Sequence, residues 1–470
     1  MNQLLEKLNK LNIKLSLKGD NLDIQAPKGS VTPNILEEIR SHKSEIRVLF
    51  NLLPQIRDKF SEEKQKYKQL PWSFNYLYSR VKKRKTANNM SFGFVFKDEY
   101  DISKIKAAYI ELLNQHRILK SKIESNSNDN ILIVENINNT INEVKYDSLD
   151  LIYSKIHDLH NSKFQFEKEN LLRSFIFYTN SETVFFCSVP HLIFDGISLN
   201  IFWRDFFNLY NGNTVDNSKL QFIESLKIRE NNTNDTNESY FFWKSILKKK
   251  RFSISIHEKE DASNEGSIIT KFEIDSIITD KLLLFCKKRK ITLNTLFISI
   301  ISILIKKKCN ESFIICFDHH SRQNETMEQI GLWVQNLFIE IDHNTNEEFF
   351  FENIHKSVQD AITNSNIDII KLLFDLFGND FESKLNNLKQ IRFNYYDDFN
   401  DITASIPQNI TPLYFGNNNY IPSYLHFFVE NYRGHINVTI KGNSRYFEEA
   451  FLEKMKEDII SICTEKMKIF

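Results

Sequence analysis

The residues best equipped for chemistry lie in one short run, Pro190-His191-Leu192-Ile193-Phe194-Asp195-Gly196-Ile197-Ser198-Leu199. Thr183 to Val189 ahead of it is apolar and strand-like. Leu199, Phe202, Trp203, Phe206 and Tyr210 after it recur on one side of a helix. His191 and Asp195 therefore fall in the turn between a buried strand and a helix start. A helix N-terminus offers amide N–H groups to developing negative charge. Gly196 permits a tight backbone there. A histidine titrates near neutral pH and can take a proton from an attacking nucleophile. Taken alone, an HxxxD spacing is met more often as a His and an Asp that satisfy one another at a helix cap.

Other candidates carry less. His319-His320, ahead of Ser321-Arg322, lacks further spaced ligands and reads as a loop after the strand Phe313–Phe317, so no metal site is expected. His157 and His160, with Asp158 between them, read as a solvated helix face. Lys248 to Arg251 and Lys306 to Lys308 read as solvated basic runs, and the phenylalanine-rich stripes as core.

The elements around these residues are set by a chain of 470 residues, too long for one ordinary core. Lys+Arg and Asp+Glu balance at 61 each, so nothing in the whole-chain charge argues for nucleic acid or a polybasic membrane contact. Only 11 residues are glycine, which excludes collagen-like, linker-like or glycine-rich phosphate-loop architecture as a dominant feature. Five cysteines, odd in number and without a CxxC, sit mostly in apolar runs and point to buried thiols in a reducing, cytoplasmic compartment. No signal-peptide core precedes the chain's first charged residues. The longest apolar stretch, Leu293 to Ile305, falls short of the ~20 residues a spanning helix needs and reads as a buried core helix.

Along the chain, Leu4, Leu5, Leu8 and Leu11 mark a short helix. Ile13, Leu15 and Leu17 alternate with polar residues, Gly19-Asp20-Asn21 turns, and Leu22 and Ile24 alternate again, which predicts a hairpin. Thr32-Pro33 starts a helix, and a second runs from about His42 to Phe50. A unit of this size is marginal alone. Its hairpin leaves both edges unpaired, so it fits either a cap on the main body or a receiver for a strand from another chain. A Lys-rich connector (Arg57 to Gln69) follows. From Leu70 onwards strand-like and helix-like runs alternate, as in an α/β protein. The divisions are 1–55, a linker at 56–69, and lobes at 70–250 and 251–470.

The run LNIKLSLKGDNLDIQAPKG with TPNILEEIRSHKSEI resembles the N-terminal docking domains of the TubC type on nonribosomal peptide synthetase subunits. The resemblance implies an αββαα unit. It would hold the C-terminal peptide of an upstream subunit by strand addition at Ile13, Leu15, Leu17, Leu22 and Ile24. Lys14, Lys18 and Lys28 would favour an acidic tail. PHLIFDGISL resembles the HHxxxDG signature of nonribosomal peptide synthetase condensation domains, of the chloramphenicol-acetyltransferase-like superfamily. Further landmarks follow in order. Leu70-Pro71-Trp72-Ser73-Phe74 resembles the opening LP-S motif, and His116 to Ser121 the RHxxLRT segment. Ile330 to Leu337 resembles IGFFVNTL, and Arg392-Phe393-Asn394-Tyr395 resembles FNYQ. The match runs from about Leu70 to Met467.

This resemblance implies two α/β lobes arranged as a V, with the site at their junction. It implies amide formation: an amine attacks a donor acyl or peptidyl thioester held on an upstream carrier's phosphopantetheine arm. His191 would orient or deprotonate the amine, Asp195 would hold the turn, and Gly196 with the helix start would face the oxyanion. Supporting residues would be Lys120, Ser198, Gln335 and Asn394. Three positions depart from the pattern: Pro190 replaces the first His, Lys120 stands where an Arg pairs with the motif Asp, and Gln335 replaces an Asn. The run Lys248 to Arg251 would suit an acidic carrier. No bound cofactor, metal, nucleic acid or membrane is implied. The chain ends just past the last helix, so the expectation is a stand-alone domain that takes its donor in trans and releases the peptide onto a free amine. Elongation with an aminoacyl carrier in trans, ester formation or macrocyclisation, and a silent docking scaffold are the alternatives.

Overall fold

The computed structural model describes residues 11–43 and 68–465, except 12, 19–20, 28–29, 85–86, 97–100, 126–130, 136–140, 216–220, 232–237, 249–255, 257–265, 310, 343–348, 398–409, 416–422 and 433. The chain divides into two units, Met1–Lys68 and Gln69–Phe470. The expected helix at Leu4–Leu11, the helix at His42–Phe50 and the connector lie almost wholly outside the described residues.

In the first unit, β1 (Lys14–Lys18) and β2 (Asn21–Gln25) form a two-stranded antiparallel sheet. Its register sets Leu15 opposite Ile24 and Leu17 opposite Leu22. Helix α1 (Pro33–Ser41) begins with Pro33 after the N-cap Thr32, and buries Ile35 and Ile39. Ile13 is buried as well.

The second unit opens with α2 (Trp72–Lys83), β3 (Asn89–Phe96), α3 (Ile102–Gln115), β4 (Ser121–Ser125), β5 (Ile131–Glu135), β6 (Asn142–Lys145), α4 (Leu149–Asn161), β7 (Arg173–Tyr178), β8 (Thr183–Pro190) and α5 (Gly196–Tyr210). Then come α6 (Phe222–Asn231), α7 (Glu238–Leu247), β9 (Ser267–Ile274), α8 (Ser276–Arg289), α9 (Leu293–Lys306), β10 (Phe313–His319), β11 (Gln335–Ile341) and α10 (Phe350–Thr363). The last elements are α11 (Ile369–Phe377), α12 (Phe381–Leu388), β12 (Ile391–Tyr396), β13 (Ile410–Phe415), β14 (Leu425–Tyr432), β15 (His435–Asn443) and α13 (Glu449–Glu465). A five-stranded sheet has the order β13-β3-β8-β7-β6, and a six-stranded sheet the order β9-β15-β14-β12-β10-β11. Strand β13 pairs with β3, so the chain returns to the first sheet after building most of the second. A boundary near residue 250 therefore does not separate the strands cleanly.

Strand β8 is the spine of the first lobe. Its residues from Val184 to Pro190 are all buried, because helices cover both faces of the sheet. Val184 and Phe186 pack with Ile152 and Ile156 of α4. Phe185, Cys187 and Val189 join a second cluster with Phe202, Trp203 and Phe206 of α5. That cluster is dense in aromatic contacts, with the Phe94 and Trp203 ring centroids 3.9 Å apart and the rings tilted by 49°. The end of α3 is tied to α5 by a buried pair, His116 Nε2 to Asp205 Oδ2 at 2.8 Å. Burial raises the Asp205 carboxyl pKa, but His116 and Arg204 outweigh it and hold the group below its ordinary value. His160 departs from the expected solvated face: it is buried against Ser91, 3.1 Å from its hydroxyl, while His157 is exposed.

Helix α2 joins the lobes. Phe74 and Tyr78 sit in the first core. Trp72, on the other side, stacks on Phe374 of α11 at 4.4 Å, and Tyr76 meets Phe381 at 4.9 Å. Helix α9 is a core helix, buried from Thr295 to Ser302. Among the described residues no helix is long and apolar enough to cross a membrane.

Gly93 of β3 lies under the backbone of β8, where a Cβ would stand 2.2 Å from the Phe185 carbonyl oxygen. Gly93→Ala is expected to lower unfolding free energy by at least ~1–3 kcal/mol. A denaturant titration that showed no loss would contradict this reading of the strand pair.

Candidate functional site

Strand β8 ends at Pro190, and the chain turns at once. The His191 amide donates to the Asn88 carbonyl at 2.9 Å, and the Ile193 amide to the Pro190 carbonyl at 3.1 Å. The turn is thus built on backbone bonds, with a proline where the resemblance leads one to expect histidine. The His191 ring is half-buried, and its Nδ1 lies 2.6 Å from the Phe194 carbonyl oxygen. A carbonyl only accepts, so Nδ1 carries the proton. The neutral ring then presents the Nε2 lone pair as a base.

Asp195 is the N-cap of α5 and is fully buried. It accepts from the Ser198 amide at 2.8 Å, the Ser198 hydroxyl at 2.7 Å and the Trp333 amide at 3.0 Å. Arg322 adds a two-pronged contact, Nη1 to Oδ2 at 2.9 Å and Nη2 to Oδ1 at 3.0 Å. This pair has no exposed side-chain surface. Burial draws the Arg322 pKa down, and Asp195 and Glu328 oppose the shift. Arg322 Nη2 also reaches the Gln329 carbonyl at 3.0 Å, and the Gly331 amide donates to Ser198 Oγ at 3.0 Å. One carboxylate thus gathers α5, the turn after β10 and the segment before β11.

The turn that delivers Arg322 is unusual. Ser321 has φ +44°, a left-handed conformation that costs a non-glycine residue energy. His319 Nδ1 accepts the Ser321 amide at 3.0 Å, and His320 Nδ1 accepts the Arg322 amide at 3.1 Å. The two rings stack with centroids 4.4 Å apart. Both rings are therefore neutral, with the proton on Nε2. Burial, with His320 and Arg229, pushes the His319 pKa down to about 4, and burial with Arg322 also lowers His320. Gly331 is required by space, since a Cβ there would lie 2.1 Å from the Phe222 ring.

Several expected residues sit elsewhere. Lys120 does not pair with Asp195: its Nζ lies 3.4 Å from Asn114 Oδ1 and 3.6 Å from Glu135 Oε2, and Arg322 holds the carboxylate instead. Gln335 braces the segment ahead of α11, donating to the Ser365 carbonyl at 2.8 Å. Asn394 belongs to a separate network. It donates to Asp318 Oδ2 at 2.9 Å, and its Oδ1 lies 2.8 Å from His426 Nε2. Gly196 is not forced by the backbone: its φ is ordinary, and a Cβ there would meet nothing within 4 Å. The side of α5 at Gly196 is thus open. The Gly196 and Ile197 amides carry no hydrogen bond among the described residues. Arg322 is not marked by local sequence pattern, because its partner is 127 residues away. Its only local signal was a charged residue eight positions ahead of Ile330. Among the described residues no group of three or more His, Cys, Asp or Glu is placed to hold a metal.

Two family descriptions match the chain: "Condensation domain" over residues 75–468 and "TubC N-terminal docking domain" over residues 1–49. Bacitracin synthase 2 of Bacillus licheniformis is 24% identical over 275 residues, which are 56% of this chain and 10% of that protein. Gramicidin S synthase 2 of Aneurinibacillus migulanus is 23% identical over 210 residues, 42% of this chain and 5% of the relative. The chain thus matches only a small part of these synthetases. The cyclization-docking bidomain of EpoB from Sorangium cellulosum has the same fold, with a TM-score of 0.69 at 15% identity over 99% of this chain and 98% of that one. The condensation domain of the monacolin K polyketide synthase MokA gives a TM-score of 0.71 at 15% identity, over 84% of this chain and 97% of that one.

Arg322→Met strands a buried carboxylate and is expected to cost about 3–5 kcal/mol of stability, with Arg322→Lys losing less. Urea denaturation measures both; a loss under ~1 kcal/mol for the methionine variant would contradict the clamp.

Proposed function

The chain belongs to the condensation-domain family and carries a TubC N-terminal docking domain, and on that premise we propose that it joins a carrier-bound acyl or peptidyl thioester to a free amine and so releases the product as an amide. The observation that carries this reading is the His191 ring, pinned through Nδ1 to the Phe194 carbonyl beside the clamped Asp195. The amine nitrogen attacks the thioester carbonyl, and a C–N bond forms. His191 Nε2 takes the proton that the nitrogen sheds. Negative charge gathers on the carbonyl oxygen, and the Gly196 and Ile197 amides at the open start of α5 are the groups suited to face it. The C–S bond then breaks, and the proton passes from His191 to the departing pantetheine thiolate. Asp195, bonded on every side, acts as a positioning residue.

The donor arrives on the phosphopantetheine arm of an upstream subunit, and no cofactor is bound by this chain itself. The two-stranded sheet of β1 and β2 has outer edges without a strand partner among the described residues. Such an edge suits capture of the upstream subunit's C-terminal peptide by strand addition. Five unpaired cysteines suit a reducing, cytoplasmic setting.

The test supplies a carrier loaded with a short peptidyl thioester, a panel of free amines and an aminoacyl carrier, with products read by mass spectrometry. Protein-dependent amide with a free amine is expected, and His191→Ala is expected to lower its rate at least 100-fold. Transfer only to the aminoacyl carrier would replace release by elongation. Equal product with His191→Ala, correctly folded, would remove the enzymatic role of this residue.

A further inference from the structure

Two histidines outside the reaction turn are held in an arrangement that proton transfer at His191 does not use. Neighbouring residues of a strand point to opposite faces. Yet His319, the last residue of β10, and His320 stack, with ring centroids 4.4 Å and planes 28° apart. The chain leaves the strand here and passes through the left-handed Ser321, at φ +44°. Each ring makes the same bond. Its Nδ1 accepts the amide two residues on, from Ser321 to His319 at 3.0 Å and from Arg322 to His320 at 3.1 Å. The Ser321 hydroxyl also lies 3.4 Å from His319 Nδ1. An Asn or Asp side chain makes the equivalent bond in a tight turn.

That bond fixes what the rings can offer. An Nδ1 that accepts leaves the proton on Nε2, so each ring presents an N–H. Neither ring can act as a base in the way His191 does, and neither can ligate a metal through Nε2 without shedding that proton. Both rings are half-buried, and neither Nε2–H has an acceptor among the described residues. A donor kept from water without an acceptor is costly. An oxygen placed between rings this close is within ordinary reach of both, ~2.9 Å, and a carbonyl oxygen has two lone pairs to give. Charge selects the kind of oxygen. Arg322 is spent on Asp195, and Asp368 offsets Arg229 of α6, the cation that acts on His319. N–H groups without a free positive charge suit a neutral carbonyl, not a carboxylate or a phosphate.

We propose that the His319 and His320 Nε2–H groups together hold one amide carbonyl oxygen of the thioester donor, from its peptidyl group or from its pantetheine arm. That the ligand is the donor rests on the amide-forming reading; the paired N–H groups do not. His191 and the histidine pair hang on the same ion pair. His320 Nδ1 takes the Arg322 amide, and Arg322 Nη1 lies 2.9 Å from Asp195 Oδ2. His191 Nδ1 lies 2.6 Å from the carbonyl oxygen of Phe194, the residue before Asp195. The five-stranded sheet thus brings a lone pair, and the six-stranded sheet a pair of donors, to one buried contact.

The test uses the full chain without an amine, so that nothing turns over. Calorimetry compares four thioesters, which combine an acetyl-leucyl or an isocaproyl group with pantetheine or propanethiol. An amide-bearing probe is expected to bind at least about five-fold tighter than its amide-free partner. A preference on the acyl side assigns the peptidyl carbonyl, and one on the thiol side assigns the arm. In His319→Asn and His320→Asn the new Oδ1 takes the place of Nδ1 in the turn. The urea midpoint should therefore stay close to the parent's while the preference is lost. A long-range proton–nitrogen correlation spectrum of the parent's histidine rings should show both protons on Nε2, and both Nε2–H signals moved by the preferred thioester. That reading does not depend on the variants folding. Preferential binding with no amide product once an amine is added would keep the donor pair and remove the reaction. Equal binding of amide-bearing and amide-free probes, a preference untouched by both substitutions, or Nε2–H signals that stay in place would overturn the site.

Discussion

A carboxylate with no exposed surface holds the site together. Asp195 accepts from its own helix start through Ser198, from the Trp333 backbone, and from both prongs of Arg322. In a low-dielectric place these bonds are strong, and each is expensive to leave unmade. The carboxylate therefore fixes where α5 begins, and with it the turn that carries His191. The turn from His319 to Arg322 is strained at Ser321, and a strained turn persists only where its surroundings demand it. Here the demand is the delivery of a guanidinium to Asp195.

The same logic explains how two sheets come to share one site. Helix α2 puts Phe74 and Tyr78 into one core and Trp72 and Tyr76 against the helices of the other. Strand β13 leaves the second lobe to pair with β3. With the Asp195–Arg322 pair, these are three independent ties across the junction, one apolar, one of backbone bonds and one ionic. A site built on them is held by rigid elements, which suits a reaction whose rate depends on keeping two reactants in place.

Much of this was legible in the sequence because it depends on local pattern. The apolar run before His191 and the periodic aromatics after Asp195 placed the turn between β8 and α5. Thr32-Pro33 marked the start of α1, and the interrupted apolar run at Leu293–Ile305 marked a core helix. Pairing across lobes was not legible. Arg322 looked like part of an ordinary loop, and Lys120 looked like the partner of Asp195, because nothing in a one-dimensional pattern reports a contact 127 residues apart. Asn394 and Gln335 were grouped with the site through motif resemblance. The fold uses them to tie strands and a loop, while His160, read as solvated, is buried against Ser91. Gly196 was credited with a tight turn, yet its backbone is ordinary and its importance lies in the space it leaves.

The central claim is that Asp195 and Arg322 act as one unit to position His191. A double-mutant cycle on acyl transfer to a free amine, using Asp195→Asn, Arg322→Met and the combination, tests it most directly. Residues that act as a unit are strongly non-additive. The account predicts that the double variant is no slower than the slower single variant. Losses that multiply, with each single variant folded, would show that the two residues contribute separately and would contradict it.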